Sequence, residues 1–209
     1  MIAVITCLGV AYRLSESYKL DGISGAILGL VSFMLVTPFT ISFNHEQYGE
    51  LTASGIPTGL MGSAGLFVAI IMAIMSTEIF NFVVKKNLVI KMPDMVPPAV
   101  SKSFAALIPG FFIISTALVI RVLFEVTPFV SIHNVVSVLL TKPLTAIGAS
   151  YGGVLAITTL IHLLWTCGLH GANIVFGVAD PALYVLMDQN RMAFEQGQAL
   201  PNVVTKQFF

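Results

Sequence analysis

The sequence predicts an all-α integral membrane protein, built as a polytopic helical bundle, and two observations lead to this fold class. Charged residues make up only 10% of the 209 residues, less than half of the roughly 25% found in soluble domains. Four long runs contain no Asp, Glu, Lys or Arg: 22–43, 51–77, 103–120 and 143–179. Since about 20 apolar residues in a helix cross the roughly 30 Å core of a bilayer, these runs predict several membrane spans.

The overall charge and the cysteine content exclude several functional classes. The ten basic and ten acidic residues cancel, which argues against a polybasic protein that binds nucleic acid. Cys7 and Cys167 lie far apart and form no metal-binding spacing. We therefore expect no metal and no cofactor, and we interpret both cysteines as small packing residues.

The apolar runs and the polar loops between them define the predicted helices in chain order. Residues 1–12 form a half-length apolar helix that resembles the end of a membrane span, so we expect the chain to begin inside a longer protein. The next span covers 22–43 with a kink at Pro38, because proline removes a backbone donor and clashes with the preceding turn. After a loop, a long helix is predicted over 58–84, and a further span over 104–125.

The loops predict an orientation in the membrane. Loops 13–21 and 85–103 carry Lys and Arg, whereas loop 44–57 carries neither. Two helices separate the two basic loops, so both lie on the same side. Because basic loops remain in the cytoplasm, we expect loops 13–21 and 85–103 to be cytoplasmic in a multi-pass protein.

The segment 127–150 differs from the predicted spans. Its apolar residues are interrupted by His133, Asn134, Lys142 and two prolines. This pattern is typical of an amphipathic helix, or of a pair of them, that lies at the membrane surface. We therefore predict an amphipathic connecting segment over 127–150.

The run that follows contains an unusual polar segment, LWTCGLHGAN. His170 lies between Gly168 and Gly171, with Trp165 upstream and Asn173 downstream. Glycines on both sides favour a broken or re-entrant segment, which is tolerated at membrane depth only where protein or a water-filled cavity satisfies the backbone. The groups suit a sugar, since an indole packs on pyranose C–H bonds, an amide bonds hydroxyls and a histidine accepts a proton near neutral pH.

A simpler interpretation of the same segment stays open at this point. A histidine beside glycines can bond a carbonyl at the membrane interface, where Trp is also common as an anchor. The other ionisable groups in apolar surroundings are interpreted as structural: His45, His133, His162, Glu78 (reaching toward the interface) and the pair Arg121 and Glu125.

Two longer stretches resemble a known family. Residues 66–114 contain IKMPDMVPPAV followed by SFAALIPG, and residues 163–175 read LLWTCGLHGANIV. Both resemble enzyme IIC, the membrane subunit of sugar phosphotransferase systems, in its lactose/cellobiose family. The two motifs agree with that family in order and distance, and the resemblance covers nearly the whole chain.

The resemblance implies a transporter in the bacterial cell membrane for β-linked disaccharides such as cellobiose, lactose or diacetylchitobiose. Such a subunit carries the sugar by alternating access and presents its C6 hydroxyl to a phosphocysteine on the cytoplasmic enzyme IIB, which enzyme IIA supplies. Whether the chain itself counts as an enzyme stays open, because the phosphoryl-carrying cysteine belongs to the partner. The resemblance also implies a homodimer whose subunits have an interface domain and a substrate domain with re-entrant hairpins. By this resemblance the interface domain covers 1–126, the connector covers 127–150, and 151–209 form the start of the substrate domain.

The resemblance also implies roles for individual residues. His170 matches the active-site histidine, which binds the reacting hydroxyl and accepts its proton. Trp165 would pack on a sugar ring, and Asn173 with the backbone around Gly168 and Gly171 would bond hydroxyls. Family members are about twice as long, and their second key residue, a glutamate, would lie beyond the last residue of this chain.

Two other functions remain open from the sequence. The first is a proton-coupled secondary transporter, in which His170 relays protons without phosphoryl transfer. The second is an inactive membrane fragment with half a site, for which we expect weak sugar binding or none.

Overall fold

The computed structural model of the chain describes residues 1–45, 48–90, 92–93 and 95–209. The chain divides into two compact units, Met1–Val135 and Val136–Phe209. The boundary between these units falls inside the predicted connector. The division into domains at residues 126 and 150 stays a prediction.

The first unit is a bundle of apolar helices with a small β-hairpin. Its elements are α1 (Ile2–Ser17), α2 (Gly22–Val36), the antiparallel strands β1 (Thr40–His45) and β2 (Gly49–Ser54), two 3-10 turns (Thr58–Met61 and Ser63–Gly65), α3 (Leu66–Lys85), α4 (Pro98–Ala105), α5 (Leu107–Glu125) and the start of α6 (Ile132–Val136). Helices α1, α2 and α3 pack against one another, and α5 packs on α2 and α3. Their shared core includes Cys7, Phe33, Met72 and Ile113, all fully buried.

Close approach of α1 and α2 depends on two glycines four residues apart on α2. A Cβ at Gly25 would lie 1.9 Å from the Ser15 hydroxyl, and a Cβ at Gly29 would lie 2.7 Å from the Cβ of Ala11. Both distances are shorter than van der Waals contact. These positions therefore act as the small-residue contacts that membrane helices use to pack closely.

The predicted span over 22–43 with a kink at Pro38 is wrong. Helix α2 ends at Val36, and Thr37 is extended, with φ −79° and ψ 131°. The ring of a following proline disfavours the α conformation at the preceding residue, so the helix stops instead of bending. The chain then enters the hairpin of β1 and β2, which occupies part of the predicted loop.

The end of α2 is held by polar side chains from distant segments. The Thr37 hydroxyl donates to the Phe33 carbonyl at 2.9 Å, and Nε2 of His133 lies 3.1 Å from the same hydroxyl oxygen. The Arg121 guanidinium donates to the Leu35 carbonyl at 3.3 Å. The last carbonyls of a helix have no partner within the helix, and these contacts satisfy them.

Helix α3 starts later than the sequence predicts. Residues 58–65 form two 3-10 turns separated by Gly62, whose backbone is extended. Glycine disfavours a helix interior by roughly 1 kcal/mol relative to alanine, which accounts for the late start. Farther along the chain, α4 and α5 together make an apolar helical stretch, Pro98–Glu125.

Apolar helices long enough to cross a membrane are present, as the fold class requires. Over the described ranges, two helical stretches meet the length and composition of a span, Ser63–Lys85 and Pro98–Glu125. Ile132–Ala146 and Tyr151–Thr166 make a third such stretch if they are counted as one bent span. The four uncharged runs thus do not each form one helix, since the run 51–77 includes a strand.

The second unit contains a broken run of helices. Its elements after α6 are a π-helical segment (Ser137–Thr141), α7 (Lys142–Gly148), α8 (Tyr151–Thr166), α9 (Gly171–Glu195) and a 3-10 turn (Lys206–Phe208). The chain after α9 returns along it, since the Asn202 side chain donates to the Leu186 carbonyl at 3.2 Å and Lys206 pairs with Asp180 at 2.6 Å. Leu183, Leu186 and Val204 form the buried core.

Replacing Asp21 tests the start of α2. Its carboxylate accepts from the Ser24 N–H at 2.9 Å and from the Ser24 hydroxyl at 2.8 Å, and it pairs with Lys102 at 3.0 Å. We expect Asp21→Ala to lower the free energy of unfolding by about 1 kcal/mol, because a helix cap is lost. Asp21→Asn keeps the capping oxygen and loses only an exposed ion pair of small value, so its melting temperature in detergent should stay near that of the unchanged protein.

The same contacts determine how this cap depends on pH. Partial burial raises the pKa of Asp21, but the hydrogen bonds from Ser24 and the contact with Lys102 lower it to below its ordinary value overall. The charge-dependent part of the contribution of Asp21 is therefore complete at neutral pH and is lost as the pH falls through the lowered folded-state pKa. If Asp21→Ala and Asp21→Asn lowered the free energy of unfolding equally, the ion pair with Lys102, and not the helix cap, would stabilise the start of α2.

Candidate functional site

The predicted site lies at the break between α8 and α9. Helix α8 ends in a glycine turn: the Gly168 N–H donates to the Trp165 carbonyl at 3.0 Å, and the Leu169 N–H donates to the Leu164 carbonyl at 3.0 Å. Gly168 has φ +77°. This pair of bonds with a left-handed glycine is the Schellman arrangement, which satisfies the last carbonyls of a helix. The turn therefore requires glycine at position 168.

Gly171 permits the close return of the chain onto α8. It is buried at the first position of α9. A Cβ at this position would lie 2.1 Å from the Ile161 carbonyl oxygen and 2.9 Å from Cδ1 of Trp165. Any side chain at position 171 would push the start of α9 away from α8.

His170 caps the N-terminus of α9. Its Nδ1 accepts from the Asn173 N–H at 3.4 Å, so in the neutral ring the proton is on Nε2. The imidazole is exposed, and Nε2 therefore presents a hydrogen-bond donor. Because Nδ1 faces a backbone donor, the ring accepts a proton from another group only after that contact is released or the tautomer changes.

Trp165 lies against the His170 ring. The two ring centroids are 5.0 Å apart with an interplanar angle of 48°, and Trp165 is 55% exposed. Asn173 lies on the first turn of α9 with an exposed side chain. The turn thus brings together an aromatic face, an N–H donor and a carboxamide, which are the groups expected for binding a polyhydroxylated ligand.

The site is open in this chain. Two hollows lie along α8: an apolar groove of about 420 Å³ between α7, α8 and α9, and a shallower, more open hollow of about 400 Å³ on α8 itself. Trp165 and His170 line neither of these two hollows. Neither of these two hollows is therefore the polar pocket that the sequence predicts around His170.

The other residues singled out in the sequence have structural contacts. His133 is buried at 4% exposure, and its ring packs edge-on against Phe33 at 5.9 Å. Arg121 pairs with Glu125 at 2.7 Å as predicted. Glu78 accepts a hydrogen bond from the Tyr18 hydroxyl, a contact that the sequence analysis missed. The side chain of His45 lies outside the described part of the chain.

The two cysteines differ in environment. Cys7 is buried in the first unit, as predicted, but Cys167 is exposed because it lies in the turn that ends α8. Its interpretation as a packing residue is therefore wrong. Over the residues that the structure describes, no group of three or more His, Cys, Asp or Glu could hold a metal ion.

Comparison with known proteins assigns the chain to one family. The family model for the phosphotransferase system, EIIC, matches residues 1–209. The lichenan permease IIC component of Bacillus subtilis (strain 168) is 50% identical over 211 residues, which cover 100% of this chain and 47% of that protein. The cellobiose-specific EIIC component of Geobacillus stearothermophilus is 50% identical over 213 residues, with 100% and 47% covered.

A solved structure agrees with this assignment. The crystal structure of the transporter ChbC, the IIC component from the N,N'-diacetylchitobiose-specific phosphotransferase system, matches with a TM-score of 0.94 and 51% identity. The match covers 100% of this chain and 49% of ChbC. The chain therefore spans about half the length of the relatives that it matches.

Proposed function

Because the chain belongs to the EIIC family of the phosphotransferase system, we propose that it forms part of a membrane permease that binds and carries a β-linked disaccharide. Relatives at 50% identity are named for lichenan and cellobiose, and the matching crystal structure is named for diacetylchitobiose. These names support a substrate of the cellobiose or diacetylchitobiose type. The observation that carries the proposal is the exposed Trp165 and His170 pair at the break between α8 and α9.

We assign the contacts with the sugar to groups at this turn. The Trp165 indole packs on the C–H face of one pyranose ring, and the Asn173 carboxamide bonds a hydroxyl. Nε2–H of His170 donates to the oxygen of the reacting hydroxyl and fixes its direction. When that oxygen attacks phosphorus, the S–P bond of the phosphocysteine on enzyme IIB breaks, the thiolate leaves and the hydroxyl loses its proton. Nε2 of His170 accepts that proton in the other tautomer, with the ring proton on Nδ1, which forms only after the Asn173 N–H contact at Nδ1 is released.

The phosphoryl group comes from a separate protein in this proposal. Cys167 is exposed but does not match the phosphorylated cysteine of the family. That cysteine belongs to enzyme IIB and receives its phosphoryl group from enzyme IIA. The positive-inside rule supports a cytoplasmic position for loops 13–21 and 85–103, which face enzyme IIB. The helices of residues 1–126 are assigned to a homodimer interface in the bacterial cell membrane.

The chemical form of the transported sugar tests this function. Vesicles that contain the complete permease, supplied inside with phosphoenolpyruvate and the phosphotransferase proteins, should accumulate radiolabelled cellobiose as its phosphate ester. Uptake should stop when enzyme IIB is omitted. Recovery of free cellobiose, driven by a proton gradient without any phosphodonor, would contradict the proposal and favour a secondary transporter.

A further inference from the structure

Helix α8 carries a polar face that the proposed site does not use. Thr158, His162 and Thr166 follow one another at intervals of four residues, and residues three or four apart lie on the same side of a helix. Together with Thr159 and Leu163 they line the open hollow of about 400 Å³. This face carries a histidine and three threonines in a helix that is otherwise almost entirely apolar. The Thr166 hydroxyl donates to the Leu163 carbonyl at 2.6 Å, and much of the surface that lines the hollow is hydrocarbon.

The opposite face of α8 is the one that packs against the neighbouring helices α7 and α9. It lines the apolar groove with Gly153, Ala156, Ile157, Leu160 and Leu164, which face residues of α7 and α9. The polar face is therefore not needed to hold the second unit together. Polar and ionisable side chains at membrane depth are costly unless they face a cavity or a partner, and this face lines an open hollow.

His162 presents an acceptor toward that side. Its Nδ1 lies 2.7 Å from the Thr158 carbonyl oxygen, and since a carbonyl only accepts, Nδ1 must carry the proton. Nε2 of the neutral ring is then an acceptor. His170 has the opposite arrangement, because its Nδ1 accepts and its Nε2 donates. The two rings together offer one acceptor and one donor, which matches sugar hydroxyls that both donate and accept.

The Trp165 and His170 pair lies next to this face, although neither residue lines the hollow. Trp165 follows His162 by three residues, so it lies on the same side of α8, and it contacts the His170 ring. From Thr158 to Trp165 the helix rises about 10 Å, which is comparable with the length of two linked pyranose rings. A disaccharide with one ring on Trp165 would place its other ring beside His162.

We propose that the polar face of α8, with His162 at its centre, binds the second ring of the disaccharide, while Trp165 and His170 bind the ring that reacts. This inference rests on the function proposed above. It makes His162 a residue that distinguishes disaccharides from monosaccharides. Nε2 of His162 accepts from a hydroxyl of the second ring, and Thr158 and Thr159 line the hollow beside it.

The test compares two sugars on the complete permease. Equilibrium binding of cellobiose and of methyl β-glucoside is measured for the unchanged protein, His162→Ala and His162→Gln. We expect His162→Ala to weaken cellobiose binding about five- to tenfold, the loss of one hydrogen bond, and to leave methyl β-glucoside binding unchanged. His162→Gln supplies an amide oxygen as acceptor and should recover most of the loss.

The outcomes separate this inference from the proposed function. Normal cellobiose binding by His162→Ala overturns the inference and leaves the proposed function intact. An equal loss for both sugars also overturns it, because His162 would then act only on the fold or on the first ring. Absence of cellobiose binding by the unchanged permease overturns both proposals.

Discussion

Replacing His170 by alanine in the complete permease is expected to abolish phosphorylating uptake of cellobiose while the protein still inserts in the membrane. The ring is exposed, accepts from the Asn173 N–H and contacts the Trp165 indole, so its loss should leave membrane insertion intact. It does remove the group to which we assign the orientation of the reacting hydroxyl and the acceptance of its proton. General acid–base groups contribute roughly 10²–10⁴-fold to a rate, and we expect a loss of at least 100-fold in the formation of sugar phosphate.

Cys167→Ala provides the matched control for this prediction. Cys167 lies in the same turn and is also exposed, but we assign it no role in phosphoryl transfer. Its replacement should leave uptake near that of the unchanged permease. Uptake by His170→Ala at a near-normal rate, at equal protein levels in the membrane, would remove His170 from the mechanism. Loss of phosphoryl transfer in Cys167→Ala would show that this thiol takes part.

Replacing Gly171 by alanine is expected to disrupt the site without removing any functional group. The added Cβ would lie 2.1 Å from the Ile161 carbonyl oxygen, which is backbone and cannot rotate away. Helix α9 must therefore shift from α8, and the Trp165 and His170 rings lose their contact. Overpacking of this kind typically costs roughly 1–3 kcal/mol, so we expect a lower melting temperature and loss of most uptake.

Gly177→Ala separates this effect from a general change in α9. No atom lies within 4 Å of a Cβ built at Gly177, and alanine is favoured over glycine in a helix interior by roughly 0.5–1 kcal/mol. This variant should keep its uptake and its melting temperature, or gain slightly in stability. If Gly171→Ala behaved like Gly177→Ala, the close approach of α8 and α9 would not be needed for transport.

The break between α8 and α9 that carries the candidate site could be predicted from local sequence, because local chemistry determines it. Both glycines meet steric constraints from residues that are close in sequence. Gly168 adopts a left-handed backbone conformation, and Gly171 leaves room for the Ile161 carbonyl. Both constraints follow from the absence of a side chain. The break between α8 and α9, with His170 inside it, was therefore predictable.

Other features were harder to predict because they depend on distant residues. The Thr37 and His133 contact joins positions 96 residues apart, and no local pattern indicates it. At Pro38 the sequence predicts a kinked helix, but α2 ends at Val36 and Thr37 is extended. The four-residue spacing of Thr158, His162 and Thr166 is visible in the sequence, but this spacing alone does not distinguish a ligand-binding face from a face that packs on another helix.

Chemical modification of histidine tests most directly whether His170 holds a sugar. Membranes that contain the complete permease are treated with diethylpyrocarbonate, with and without saturating cellobiose, and each histidine is quantified by mass spectrometry. The buried His133 serves as an unreactive internal reference, and sucrose, which lacks a β-linked pair of glucoses, serves as the control sugar. We predict that cellobiose lowers the labelling of His170 severalfold and that sucrose does not. Equal labelling of His170 with and without cellobiose would contradict a sugar site at the break between α8 and α9.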